Sequence, residues 1–215
     1  MEVHGYCDPK FDAVREAMVQ NFEQHGDVGA SVALTLEGEF VCDLWAGVTS
    51  EGGTDPWKED TLVNVWSTTK TMAALCALVL SDRGLLDLQA PVAKYWPEFA
   101  QNGKEQVLVS HCLAHSAGLS GLDDIISNET LYDWDAMCRL LAEQAPWWPP
   151  GSASGYHAIT QGHLIGEVIR RITGRTWGQF FAQDIAEPLN ADFHIGTPER
   201  LFDRIATLSP PGAEG

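Results

Sequence analysis

The sequence predicts an α+β fold, with a helical layer resting on an antiparallel sheet. Two observations carry this. Two strand patterns, Gly29–Leu36 and Phe40–Trp45, are joined by Glu37-Gly38-Glu39 and read as a hairpin. From Ser67 onward, apolar residues recur almost entirely at helical spacing. The sheet is expected at about 29–46 and the helical region at about 61–190 of a single domain, although two strands alone make a marginal sheet.

Each element has its own local reason. Asp8-Pro9 is a helix start, with Asp8 as cap and Pro9 in the first position. Phe11, Val14, Met18 and Phe22 then form one apolar face that Gly26 ends. Gly47 to Asp60 is a loop. A helix opening at Ser67 carries Met72, Leu75, Cys76, Leu78, Val79 and Leu80 and stops at Gly84; it is apolar over most of its surface and is expected to be buried. Leu85–Phe99 is broken by Pro91 and Pro97. Short helices are expected over Val109–Ala117 and Leu131–Gln144, a rigid loop at Trp147–Gly151, and a helix from Tyr156 to Thr173 with Gly174 past its end. Thr176 and Gln179 form a capping box for a last helix carrying Phe180, Phe181 and Ile185. The tail from Ser209 to Gly215 is expected to fray.

Composition sets the outer bounds. A net charge of −17 over 215 residues argues against nucleic acid or an anionic membrane as partner. The five cysteines are widely spaced and contain no Cys-x-x-Cys pair, so they read as a reduced set and not as a disulfide frame, with a cytoplasmic location expected. No run long enough to span a membrane is visible.

The chemistry concentrates at Ser67-Thr68-Thr69-Lys70. A serine hydroxyl needs a base within hydrogen-bond reach to act as a nucleophile. Residues three apart share a helix face, so the Lys70 amine would stand beside the hydroxyl, and a buried lysine there can give up its proton. The pattern arises by chance about once in a chain this long, so its weight comes from the apolar helix behind it. The competing reading is Ser67 as a helix cap with an exposed Lys70. Tyr156, just before a helix and after Pro149-Pro150-Gly151, either aims its phenol at a site or packs at the helix start. His157 beside it is a candidate site wall, and Trp147 and Trp148 are candidates for walling an acyl pocket or for packing the loop. His111 and His115 are four apart, as metal ligands on a helix are, but lack a third ligand nearby, so a structural role leads and no metal is expected. No glycine stretch has phosphate-loop spacing.

Taken in order, these segments resemble the serine β-lactamase and penicillin-binding-protein superfamily, and within it the family VIII carboxylesterases and class C-like serine hydrolases. The matching stretches are Asp60–Lys70, Gly84–Leu88 with Pro91-Val92 and Tyr95–Phe99, Leu113–Leu119, Pro150-Gly151 leading to Tyr156, and Gly166–Gly174. The resemblance implies a β-lactamase/transpeptidase-like fold and a serine hydrolase acting on small esters without a cofactor. It implies Ser67 as the acylated nucleophile, Lys70 as general base, Tyr156 as the proton relay, and the Ser67 backbone N–H as half of the oxyanion hole. A β-lactamase, a D-amino-acid peptidase or an acyltransferase would use the same three residues.

Two departures qualify what is implied. The Tyr-x-Asn motif of lactam-processing members reads Tyr156-His157-Ala158 here, which favours esters over lactams. The family's third motif, on a late strand, has only His194-Ile195-Gly196 as a match in letters. The expectation is therefore a chain holding the helical region and first strands, with the C-terminal sheet strands absent. A further segment or a second copy would then cover the sheet edge, and catalysis would be impaired if half the oxyanion hole is missing.

Overall fold

A computed structural model describes residues 1–209, so most of the expected frayed tail lies outside the described residues. The chain divides into two compact units, one of Met1–Val65 with Thr197–Gly215 and one of Trp66–Gly196.

The first unit is built on a three-stranded antiparallel sheet of β1 (Val3–Cys7), β2 (Gly29–Leu36) and β3 (Glu39–Gly47), in the order β1-β3-β2. β2 and β3 form the expected hairpin. Glu37 and Gly38 both have positive φ (53° and 87°), which matches a two-residue turn to the twist of the strands. A bulge sits between Leu34 and Thr35. β3 alternates as a half-buried strand must, with Cys42, Leu44 and Ala46 buried. Met18 of α1 (Asp12–Gln20) packs with Leu44 and Ala46, joined by Val3, Cys7, Phe22, Ala30 and Val32.

β1 supplies the third strand that the strand patterns lack. Its sequence contains Gly5, a poor strand former. The structure requires a glycine there, because φ is +95° and a Cβ would lie 2.0 Å from the Asp43 carbonyl oxygen. The Asp8 carboxylate accepts the Lys10 N–H at 2.9 Å as the cap predicts, but Pro9–Phe11 is a 3-10 turn before α1. Residues 61–65 are not helical, and Leu62 instead bridges Ile205 beside this sheet.

The second unit is helical. Its longest members are α2 (Thr69–Asp82) and α6 (Thr160–Thr173), with α3 (Val109–Leu113), α4 (Asn128–Tyr132), α5 (Trp134–Glu143), α7 (Trp177–Phe181) and α8 (Glu187–Leu189) around them. Ala73, Cys76, Ala77 and Leu80 of α2 meet Leu164, Ile165, Val168 and Ile169 of α6 and Phe180 and Phe181 of α7 in one core. Only this i, i+3, i+4, i+7 stripe of α2 is buried. Leu78 is 53% exposed and Leu75 also faces out, so the helix expected to be buried is buried along one stripe, although it is apolar over most of its surface. The Thr176 capping box forms as its spacing predicts, with Gln179 N to Thr176 Oγ1 at 3.2 Å and Thr176 N to Gln179 Oε1 at 3.0 Å.

Two ionised groups are sealed inside this unit. Glu167 accepts from Arg170, Arg171 and Trp134 Nε1 at 2.6–2.9 Å. Burial pushes its carboxyl upward, and those donors outweigh it and hold it at about 2. Lys104 is fully buried, with Nζ donating to the carbonyls of Gln101 and Gln144. Among the described residues no helix is long and apolar enough to cross a membrane.

Candidate active site

Ser67 lies on a 3-10 turn, Trp66–Thr68, that feeds α2. The turn is strained at its entrance. Trp66 has φ +45°, a conformation that costs a bulky side chain free energy and concentrates at functional sites. The helix opens at Thr69, not at Ser67, but the three-residue spacing still works: Lys70 Nζ lies 3.1 Å from Ser67 Oγ. Ser67 is exposed and Lys70 half-buried, so the reading of Ser67 as a mere cap with a solvated lysine does not describe this geometry. Lys70 Nζ also donates to the Ala158 carbonyl at 2.7 Å and stands 4.9 Å from the centre of the Tyr156 ring.

Tyr156 completes the group. It is 54% exposed, and hydrogen bonds with Ser67 first and Lys70 second, together with the lysine's charge, hold its phenol below the ordinary tyrosine value. It sits in a loop, because α6 starts only at Thr160 and not at Tyr156.

That loop is fixed from several sides. Gly155 N donates to His115 O at 3.0 Å, and Ser120 Oγ donates to Gly155 O at 2.7 Å. Gly155 is pressed against Trp148, where a Cβ would come within 2.5 Å of the indole. Trp148 Nε1 in turn donates to Ala153 O at 2.9 Å. Trp148 therefore packs the loop, while Trp147 is tied to Asp123 by its Nε1 at 2.7 Å and lies over Gly121.

His157 is fully buried. Its Nε2 accepts the Leu119 N–H at 3.2 Å, so Nδ1 carries the proton and donates to Gly155 O at 2.6 Å. Burial first, and then the neighbouring His115, depress its pKa, while the Gly155 carbonyl opposes them. Its ring faces inward and supports the residue before it.

His115 belongs to the site through geometry that the i, i+4 pattern did not signal. α3 ends at Leu113, and His115 follows at φ +60°, so it shares no helix face with His111. His111 Nδ1 accepts the Leu108 N–H, whereas His115 Nδ1 accepts the His157 N–H at 3.1 Å. The His115 ring centre lies 4.7 Å from that of Tyr156. Burial and then the Lys70 charge pull the His115 pKa down. No local sequence signal marks this role, although His115 falls within the Leu113–Leu119 segment of the resemblance. His194-Ile195-Gly196 lies in no strand, and His194 pairs with Asp192 at 2.8 Å.

A hydroxyl, an amine and a phenol thus converge, with the serine and the tyrosine exposed. Such a group can move a proton away from Ser67. Together, the helical unit and the antiparallel sheet define a β-lactamase/transpeptidase-like fold. The chain belongs to the beta-lactamase family, whose model matches residues 14–214.

It is similar to a penicillin-binding-protein homolog from Caulobacter crescentus, with a TM-score of 0.95 and 46% identity over 99% of this chain and 57% of that one. It is also similar to a family VIII carboxylesterase, with a TM-score of 0.91 and 48% identity over 96% of this chain and 57% of that one. Among curated proteins it is 39% identical to the esterase/beta-lactamase LipL of Mycobacterium tuberculosis over 197 residues, covering 91% of this chain and 46% of LipL. The chain spans about half the length of the curated relatives it matches.

Proposed function

We propose that this chain carries the acylation machinery of a serine hydrolase that cleaves small carboxylic esters. The observation that carries the reading is Lys70 Nζ at 3.1 Å from Ser67 Oγ, with the same ammonium 4.9 Å from the centre of the Tyr156 ring. Ser67 Oγ attacks the ester carbonyl, and its proton passes to the Lys70–Tyr156 pair. The alcohol leaves with that proton, and water then takes the place of the alcohol and releases the acid. The turn at Ser67 leaves its backbone N–H without an intrahelical partner, as at any helix start, and in this reading it donates to the oxyanion.

Two observations favour an ester over a lactam. Ala158 stands where lactam-processing relatives carry an amide side chain, and relatives named as esterases are among the matches. Trp148 and His157 serve in this reading as supports of the Tyr156 loop.

A fluorophosphonate probe tests the nucleophile directly. Intact-mass analysis should find one adduct, mapped to Ser67 and lost in Ser67→Ala, and a short-chain p-nitrophenyl ester should give a burst. An unmodified protein, or an adduct elsewhere, refutes the proposal. Nitrocefin and a D-alanyl amide in the same panel rank the other activities of the superfamily. A second reading rests on His194-Ile195-Gly196 lying in no strand: with Ser67 N–H as the single oxyanion donor among the described residues, Ser67 acylates but turns over about 10²–10³ more slowly. It predicts an adduct with no measurable steady-state rate.

A further inference from the structure

Cys7 and Cys42 are direct partners across the β1–β3 pairing. The flanking bond from Asp8 N to Val41 O, 2.8 Å, makes theirs a non-hydrogen-bonded pair, the kind in which facing side chains lie closest. Their sulfurs are 2.9 Å apart. The Cα separation of such a pair, about 4.5 Å, falls within the range a disulfide spans. Both are free thiols. Cys7 is half-buried at the end of the strand, while Cys42 is fully buried behind it.

We propose that Cys7 and Cys42 are an oxidation site that closes to an intramolecular disulfide on reaction with a small-molecule disulfide such as glutathione disulfide. The Cys7 thiolate attacks one glutathione sulfur, forming a mixed disulfide and releasing one glutathione thiolate. Cys42 then gives its proton to solvent and attacks the Cys7 sulfur, which expels the second glutathione. Two protein thiols are oxidised, and one external disulfide is reduced to two thiols. The partly accessible cysteine receives the reagent, and the buried one, already in contact, resolves it.

The pair is distinguished from the remaining cysteines by place. Cys76, Cys112 and Cys138 are buried in the helical unit, and burial pushes each thiol upward, to about 11 for Cys76 and about 12 for Cys112. Burial, and then the hydrogen bond and charge of Cys7, raise Cys42 to about 11, with Arg15 opposing and Asp8 adding. The closing step therefore quickens as the solution becomes more alkaline. The expectation of a reduced set without a disulfide frame describes the thiol form, and the proposal adds that one pair is built to leave it.

The test incubates the whole chain with glutathione disulfide under native, mildly alkaline conditions. Thiols are then counted in denaturant and peptides mapped without reductant. Two of the five thiols should disappear, with one cross-link joining the Cys7 and Cys42 peptides and reversal by dithiothreitol. The closed form should melt roughly 5–10 °C higher, because the loop between the two cysteines is tied. Cys7→Ser, at a half-buried position, should abolish both the cross-link and the shift. Five persistent thiols, a stable glutathione adduct on Cys7, or Cys7 joined to a different cysteine would each overturn the proposal.

Discussion

Lys104 and Lys70 belong to the same helical unit and are held in opposite ways. Lys104 is fully buried, bonded to two backbone carbonyls and 5.2 Å from the centre of the Phe99 ring. Burial pulls its pKa down to about 8, with Glu105 opposing. Lys70 is half-buried and reaches a serine hydroxyl, one carbonyl and a tyrosine ring. Lys104 has no hydroxyl or phenol among its partners, whereas Lys70 stands beside the exposed Ser67 and Tyr156. A depressed pKa marks desolvation, whereas chemistry also needs a nucleophile within reach and room for a substrate.

The comparison breaks most visibly under Lys70→Met. Adduct formation at Ser67 should fall about 10³-fold with the far-ultraviolet spectrum unchanged, whereas Lys104→Met, where folded, should acylate within about twofold of the parent chain. Equal losses in both variants would remove the distinction. Tyr156→Phe should cost about 10²-fold in acylation. In the parent chain, the rate should rise with pH through an ionisation below the ordinary tyrosine value of about 10, and that limb should vanish in the phenylalanine variant.

Lys104 should report through stability instead. Between its folded value of about 8 and the ordinary 10.5, the unfolded chain binds more protons, so stability rises with pH across this window, by at most about 3 kcal/mol. Urea unfolding at several pH values should detect that slope and find it flat in Lys104→Met. The smallest effect is expected at His115. Asparagine keeps an acceptor for the His157 N–H and tolerates positive φ, but it removes the ring against Tyr156. His115→Asn should lower kcat roughly tenfold with KM unchanged for a p-nitrophenyl ester.

The contrast also explains what the sequence could and could not convey. The Ser67–Lys70 spacing was legible because adjacent helical turns bring such residues together, and it survived a helix that starts two residues late. Arg170 and Arg171 share a helix face with Glu167, but the sequence does not single out that cluster, whose sealing also needs Trp134 from another helix. Tyr156 was placed by the family order of motifs, since its position comes from a loop tied to segments some forty residues earlier. The roles of His115 and Lys104 stayed hidden because each rests on a backbone partner some forty residues away, and a backbone atom carries no residue signature. The apolar run of α2 overstated burial, because hydrophobicity counts residues on every face while packing takes one stripe.

The strand order β1-β3-β2 also dictates a sequence of assembly. β2 and β3 are joined by a two-residue turn and can zip together as soon as they leave the ribosome. β1 is made first, yet has no strand to join until residues 42 to 46 exist. Of the three strands β1 therefore waits longest for its partner, and any slowing of translation before Gly47 prolongs the time it spends unpaired.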